Sequence, residues 1–179
     1  IDNNGVVIGS RTQALAAGGK FQLAAQNFFL TPNPQLLTEG YLEITSDAAN
    51  LGGSVVFGDA ARSAYSAALP LLGKPQTSAI FSQVAKNSTY YTGLAVLNPS
   101  EASATFVLDV LDKAGTTVAT RSVTLQGKRR TSRLLTDHFP ALPDMTTGYF
   151  RITSDQGLLS FALFGTSSAL SAIPPQAVP

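Results

Sequence analysis

The sequence contains no cysteine and no tryptophan, and a single histidine and a single methionine among its 179 residues. Without cysteine there are no disulfides, no thiol nucleophile and no thiolate-bound zinc. Charged residues make up only 13%, about half the share usual in soluble domains, and the formal net charge is +1. A chain this close to neutral lacks the field that holds a polyanion, so nucleic acid is not an expected partner. No apolar run approaches the roughly 20 residues of a membrane helix, and the longest candidate, Leu158–Phe164, is interrupted by Ser160. Membrane insertion is therefore not expected. No secretion leader is visible, and the chain opens on "IDNNG" without Met, which reads as a mature or trimmed fragment. What is present is apolar: hydrophobic residues reach 44%, enough to build a core and to argue against disorder.

The chain also repeats itself. "GYLEITSD" at Gly40–Asp47 returns as "GYFRITSD" at Gly148–Asp155. "DNNGVVIGSRTQAL" (Asp2–Leu15) aligns without a gap on "DKAGTTVATRSVTL" (Asp112–Leu125). "AQNFF" (Ala25–Phe29) falls on "LTDHF" (Leu135–Phe139), and "VVFGD" (Val55–Asp59) on "ALFGT" (Ala162–Thr166). "SAALP" (Ser66–Pro70) falls on "LSAIP" (Leu170–Pro174). Order and spacing hold throughout, as a duplication requires. The expected organisation is a partial module over 1–73 and a complete module over 74–179.

In the repeated phrase Leu42/Phe150 and Ile44/Ile152 alternate with Tyr41/Tyr149, Glu43/Arg151 and Thr45/Thr153. A period of two is a strand. One large hydrophobe replaces another at the first set, as a core tolerates, while Glu43 and Arg151 exchange charge, which is cheap in water. The apolar set is thus expected inward and the charged set outward, in a core strand that ends in a turn at Ser-Asp. Short strands also fit Ala79–Ala85, Tyr90–Asn98, Ala104–Leu111 and Gly127–Leu135. Asp112–Gly115 has hairpin-turn chemistry. "TDHFPALP" reads as a helical turn capped by Thr136 or Asp137 and stopped at Pro140. Helix is expected only near Phe28 and His138. Seven or eight short strands in roughly 100 residues predict two related β-sandwich modules in an all-β chain. An immunoglobulin-like or fibronectin-like topology is the first choice, and a jelly roll the alternative.

The first module begins at the residue matching Asp112, so it lacks its N-terminal strands, the counterparts of Ala79–Leu111. Ile8, Leu42, Ile44 and Val56 are then expected to be bare. Three explanations fit: a fragment of a longer chain, strands donated by a partner, or one larger sandwich shared by both halves.

"TGLAVLNPS", "DKAGTTVA", "DHFP", "GYFRITSDQ", "ALFG" and "AIPPQ" together resemble a tandem β-sandwich repeat module of uncharacterised exported and cell-surface bacterial proteins. The resemblance covers Thr77–Pro179 fully and Asp2–Gly73 from the middle of the module onward. It implies an extracellular or surface location and a role in a series of modules. It implies no catalytic residue.

Several residues invite a chemical reading. His138 beside Asp137 suggests a triad, but no serine sits in a nucleophile-elbow pattern. The first copy carries Phe28 at that slot, so a packing position is the better reading. "LAAGGK" (Leu15–Lys20) lacks the spacing and the Ser/Thr of a phosphate loop and reads as a tight turn. Asp47, Asp109, Asp112 and Asp155 do not reach ligand spacing for calcium. Asp112 and Asp155 read as turn residues. "NST" at Asn87–Thr89 fits a glycosylation acceptor. Arg129, Arg130 and Arg133, with Lys128 beside them and Arg121 on a neighbouring strand, form a basic cluster. Its plain reading is a solvated strand, since base-stacking aromatics are not interleaved. Tyr90 and Tyr91, with Tyr41 and Tyr149, are the aromatics suited to a sugar platform.

The expected role is therefore a non-enzymatic structural or adhesive module of an extracellular bacterial surface protein, stalk or filament, assembling through strand complementation. A carbohydrate-binding module is the alternative. No cofactor and no metal site are expected. The candidate contacts are Tyr90, Tyr91, Arg129, Arg130 and Arg133. The expected partners are other β-sandwich domains of the same or neighbouring chains, with a polysaccharide as a further candidate.

Overall fold

A computed structural model of the chain describes residues 1–24, 27, 39–58 and 65–177. The chain divides into two compact units, Ile1–Thr45 and Ser46–Pro179. That boundary falls inside the stretch the repeat assigns to the first module. The described strands are all antiparallel, and the helix expected near Phe28 lies outside the described residues.

In the second unit β1 (Ser54–Gly58) and β2 (Ser66–Pro70) form a two-stranded sheet of their own. The remaining strands are β3 (Gln76–Lys86), β4 (Tyr91–Leu97), β5 (Ala104–Leu111), β6 (Thr117–Leu125), β7 (Arg130–Leu134), β8 (Met145–Gly165), β9 (Leu170–Ile173) and β10 (Gln176–Ala177). They make two arrays joined through β8. The first half of β8 lies between β3 and β5, with β10 beyond β3 and β6 beyond β5. Its second half lies between β4 and β9, with β7 beyond β4.

The strand expected to end at Ser154-Asp155 does not end there. β8 continues across this pair, and its pairing changes from Thr153 opposite Ser78 to Leu158 opposite Gln76. Polar side chains occupy the crossing because local bonds are needed where the ladder is interrupted. The Thr105 amide donates to Asp155 Oδ1 at 2.9 Å, and Ser154 Oγ donates to the Thr105 carbonyl at 3.3 Å. Asp155 is thus a ladder extension toward β5, not a turn residue.

One cluster of buried side chains draws on both arrays: Phe81, Phe106, Leu108, Val110, Phe150 and Ile152 from one, Leu94, Val96 and Ala162 from the other. Phe81 and Phe150 stack with centroids 4.5 Å apart. The alternation expected in β5 holds, with Phe106, Leu108 and Val110 buried and Thr105 and Val107 turned to solvent.

The helical turn is α1 (Leu135–His138). Neither Thr136 nor Asp137 is its cap residue. Leu134 is, and Asp137 bonds back to it, its Oδ2 accepting from the Leu134 amide at 3.1 Å. Pro140 follows Phe139 at the end, as expected.

The duplication is visible in bonds. In the second copy the Asp112 carboxylate accepts from the amides of Ala114 and Thr116, while Gly115 N donates to Asp112 O and Asp112 N to Thr116 O. In the first copy Asp2 accepts from Asn4 and Val6, Gly5 N donates to Asp2 O and Asp2 N to Val6 O. The two glycines have φ of 86° and 84°, a conformation other residues rarely adopt. The hairpins at the far ends of the copies share one register too. Val55↔Leu69, Val56↔Ala68, Phe57↔Ala67 and Gly58↔Ser66 match Ala162↔Ile173, Leu163↔Ala172, Phe164↔Ser171 and Gly165↔Leu170 pair for pair.

The middle of the module is where the copies part. Phe150 and Ile152 are 0% and 2% exposed, whereas Leu42 and Ile44 are 53% and 55% exposed. The inward placement expected of all four holds only in the second copy. Val7–Leu15, which matches β6, forms no strand. β6 pairs with β5 alone, and nothing in residues 1–73 matches β5. Among the described residues no strand is laddered to Val7–Leu15.

Candidate functional site

Tyr90 and Tyr91 open β4. The Tyr90 ring stacks on Phe164 with centroids 5.5 Å apart and remains 37% exposed. The Tyr91 hydroxyl is hydrogen-bonded to the Tyr65 hydroxyl, and Tyr91 lies opposite Gly165 in the ladder. Phe57 of β1 meets Phe161 of β8 at 6.2 Å. These rings hold the β1–β2 hairpin, which derives from the first copy, against the second array. They are primarily a packing arrangement that leaves Tyr90 partly in water.

The arginines sit elsewhere. Arg130 begins β7 opposite Leu97, and Arg133 lies opposite Leu94, so the basic strand follows β4 away from its tyrosine end. Arg129 precedes β7, and its carbonyl accepts from the Asn98 amide at 3.0 Å. Arg129 and Arg133 are exposed and Arg130 is half-buried. Along this strand pair the tyrosines lie at the start of β4 and Arg130 lies opposite its end. Arg121 does not lie on a strand adjoining β7. It belongs to β6, and its Nη1 donates to the carbonyls of His138 at 2.8 Å and Asp137 at 3.3 Å, the last of α1. A guanidinium there satisfies carbonyls that no helical turn follows.

His138 is buried, with its Nε2 making no hydrogen bond to the described residues. Burial holds its pKa below the ordinary value, and the charges of Arg121 and Arg133 push the same way against the weaker opposite pull of Asp137. A neutral imidazole packed beside Phe139 matches the packing slot expected from the repeat. Its counterpart Phe28 lies outside the described residues.

Both carboxylate oxygens of Asp109 accept bonds from within the sheet. Its Oδ2 accepts from Arg151 at 2.8 Å and its Oδ1 from Thr120 at 2.7 Å. The Arg151 hydrogen bond holds the Asp109 pKa below the ordinary value, against a smaller rise from burial. No group of three or more His, Asp or Glu suited to a metal occurs among the described residues. Leu15–Lys20 contains a tight turn in which the Gly19 amide donates to Ala16 O at 2.8 Å. Asn87 shapes the turn between β3 and β4, its Oδ1 accepting from the amides of Thr89 and Tyr90.

The polar residue the sequence did not single out is Asn98. It is fully buried, and its amide makes four hydrogen bonds. Nδ2 donates to the carbonyls of Ala102 and Leu125, and Oδ1 accepts from the amide and hydroxyl of Ser100. The "NPS" of "TGLAVLNPS" is therefore a structural knot at the exit of β4. Thr92 plays a similar part, its hydroxyl exchanging both bonds with the Ala85 backbone.

These features define a class, an antiparallel all-β protein. The chain matches no family model and no curated protein sequence. Among solved structures it is similar to "Thermotoga maritima 1070", at 10% identity and a TM-score of 0.51, over 58% of this chain and 96% of that one. A second similar structure is the Anabaena sensory rhodopsin transducer, at 17% identity and a TM-score of 0.44, over 51% of this chain and 86% of that one. The first of these likenesses concerns fold alone.

Proposed function

We propose that the chain is a non-enzymatic structural or adhesive unit of an extracellular bacterial surface protein, stalk or filament, belonging to the tandem module type its motifs resemble. The observation that carries this reading is the unequal repeat, in which two copies share turns and registers but only one has its apolar face covered. Units repeated in series are completed by their neighbours, and a bare strand face invites addition of further strands. A low surface charge lowers the barrier to such packing. The β-sandwich reading, immunoglobulin-like or fibronectin-like before jelly roll, is supported by two arrays that share β8 and feed one core.

The test is immunogold labelling of intact cells that produce the protein, with a panel of ester, glycoside and phosphate substrates run on the purified chain. Label on unbroken cells and no turnover are expected. Label confined to lysed cells, or turnover of any substrate, overturns the reading. A second reading, a carbohydrate-binding module, rests on the exposed ring of Tyr90. Retention on an insoluble polysaccharide that Tyr90→Ala abolishes would select it.

A further inference from the structure

We propose that Tyr41–Thr45 is a strand acceptor, and that its occupant is a polypeptide strand lying in line with Ile1. That strand carries apolar residues opposite Leu42 and Ile44, and Lys or Arg opposite Glu43. This rests on the modular reading above and names the partner chemistry.

The register is already set. Ile1 and Tyr41 exchange backbone bonds, Tyr41 N donating to Ile1 O at 2.9 Å and Ile1 N to Tyr41 O at 3.2 Å. In the second copy Leu111, at the end of β5, faces Tyr149 in the same way. Ile1 therefore stands where Leu111 stands, and β5 shows what comes next along that line: Val110 opposite Phe150, Asp109 opposite Arg151 and Leu108 opposite Ile152. Directly opposed residues share a face. Val110 and Leu108 cover Phe150 and Ile152, and all four are buried. The same positions opposite Leu42 and Ile44 call for large apolar side chains. Gly40, like Gly148, is needed for this approach, because a side chain there would strike the carbonyl of Ile1 or of Leu111 respectively.

The charge makes the partner specific. Arg151 Nη2 bonds Asp109 Oδ2 at 2.8 Å. The first copy holds Glu43 at the Arg151 position. An aspartate opposite Glu43 would set like charges across the ladder, which destabilises the pair, whereas a cation restores it. A second copy of this chain does not fit as the donor. Its β5 carries Asp109, and both edges of its β5 are already taken by β6 and β8.

The test places a second copy of Thr77–Val110 directly ahead of Ile1 in the full chain, in two forms. One keeps aspartate at the inserted Asp109 position, and the other carries Asp109→Lys in the inserted copy only. Amide hydrogen exchange is read at Glu43 and Thr45, whose amides face the line of Ile1 as that of Tyr41 does, with Phe150 and Ile152 as a folding control. In the unmodified chain these two amides are expected to exchange freely. The lysine form is expected to slow them at least 100-fold, and the aspartate form at least ten-fold less. No slowing with lysine overturns the acceptor, and equal slowing in both forms overturns the charge code. Protection in the unmodified chain that grows with protein concentration overturns it in favour of a second copy. If the fusion aggregates, a peptide spanning Ala104–Val110 with Asp109→Lys is added to the unmodified chain, and the absence of resonance shifts at Leu42–Thr45 overturns the proposal. Enzymatic turnover by the same sample would remove the non-enzymatic reading and leave the acceptor standing.

Discussion

Leu42 and Phe150 occupy one position of one repeated phrase, yet half of the first is in water and none of the second is. The local sequence does not explain this. Both segments alternate, both begin at a glycine that admits a neighbouring strand, and both follow the same aspartate turn. The difference is what lies alongside. β3 and β5 flank Phe150 and Ile152, while no strand is paired to Leu42 or Ile44 among the described residues. A strand's burial is thus a property of its neighbours more than of its own pattern. Each large side chain left exposed forgoes roughly 1.5–3 kcal/mol, a substantial part of a domain's total stability of about 5–15 kcal/mol.

The sharpest way to break the comparison is a matched truncation. Phe150→Ala is expected to cost about 3–5 kcal/mol, since it opens a cavity against Phe81 and the β5 side chains. Leu42→Ala should change stability by about 0.5 kcal/mol or less, as at an ordinary exposed site. Urea unfolding of the two variants measures both. Equal losses would mean that the first copy has a covered core after all.

The next effect is expected at Asn98. Replacing it with alanine takes a donor from the Leu125 carbonyl and the acceptor from the Ser100 amide, while the Ala102 carbonyl keeps the Ser100 hydroxyl, at about 1–3 kcal/mol for buried groups left without partners. Thermal unfolding of Asn98→Ala reads this directly. A shift in Tm within error would show that the knot is dispensable.

Smaller again is the charge pair. Arg151→Glu rewrites the second copy toward the first and opposes Glu to Asp109. Because Arg151 is itself partly exposed, the loss is discounted to about 1 kcal/mol. Adding Asp109→Lys to that variant should restore most of it, and a double-mutant cycle measures the coupling. The pH dependence has a definite sign. The Asp109 pKa is lowered in the folded state from an ordinary value of 3.8, so the pair's contribution is complete above that value and is lost as pH falls through the folded pKa.

Much of this was legible in the residues. The aspartate turns, the alternation of β5, the inward set of the second copy and the bare set of the first all follow from period and repeat. What the residues hid was contact between distant segments. The Glu43/Arg151 exchange reads as two solvated positions, but Arg151 is held by Asp109, which the first copy lacks. Ser154-Asp155 has the composition of a turn, and only the pairing of β8 with both arrays turns it into a crossing. Asn98 before Pro99 looks like the end of a strand. Three of its four bonds are local, to Ser100 and Ala102, but the fourth depends on where Leu125 arrives, which no local pattern states. Arg121 reads as a solvated charge, and only the path of β6 brings its guanidinium to the carbonyls of α1.

The smallest expected effect concerns His138, where the two copies differ by an imidazole and a phenyl ring. His138→Phe should leave stability at pH 8 within about 0.5 kcal/mol, because the slot already packs a neutral ring and Nε2 makes no hydrogen bond to the described residues. The variants should separate only in acid. The His138 pKa is lowered in the folded state from an ordinary 6.5, chiefly by burial and then by Arg121 and Arg133, with Asp137 in partial opposition. Above that ordinary value both folded and unfolded chains carry the neutral ring, and His138 adds no pH dependence. Below it the unfolded chain takes up a proton that the folded chain refuses, so the wild type loses stability as pH falls, until the folded pKa is passed and the loss levels off. Phenylalanine takes up no proton in either state. Urea midpoints at a series of pH values from 8 down to about 5, spanning the region where an unperturbed histidine titrates, should therefore fall more steeply for the wild type than for His138→Phe. Parallel curves would mean that the folded protein binds the proton as readily as the unfolded chain, and that the imidazole is not confined to a dry slot.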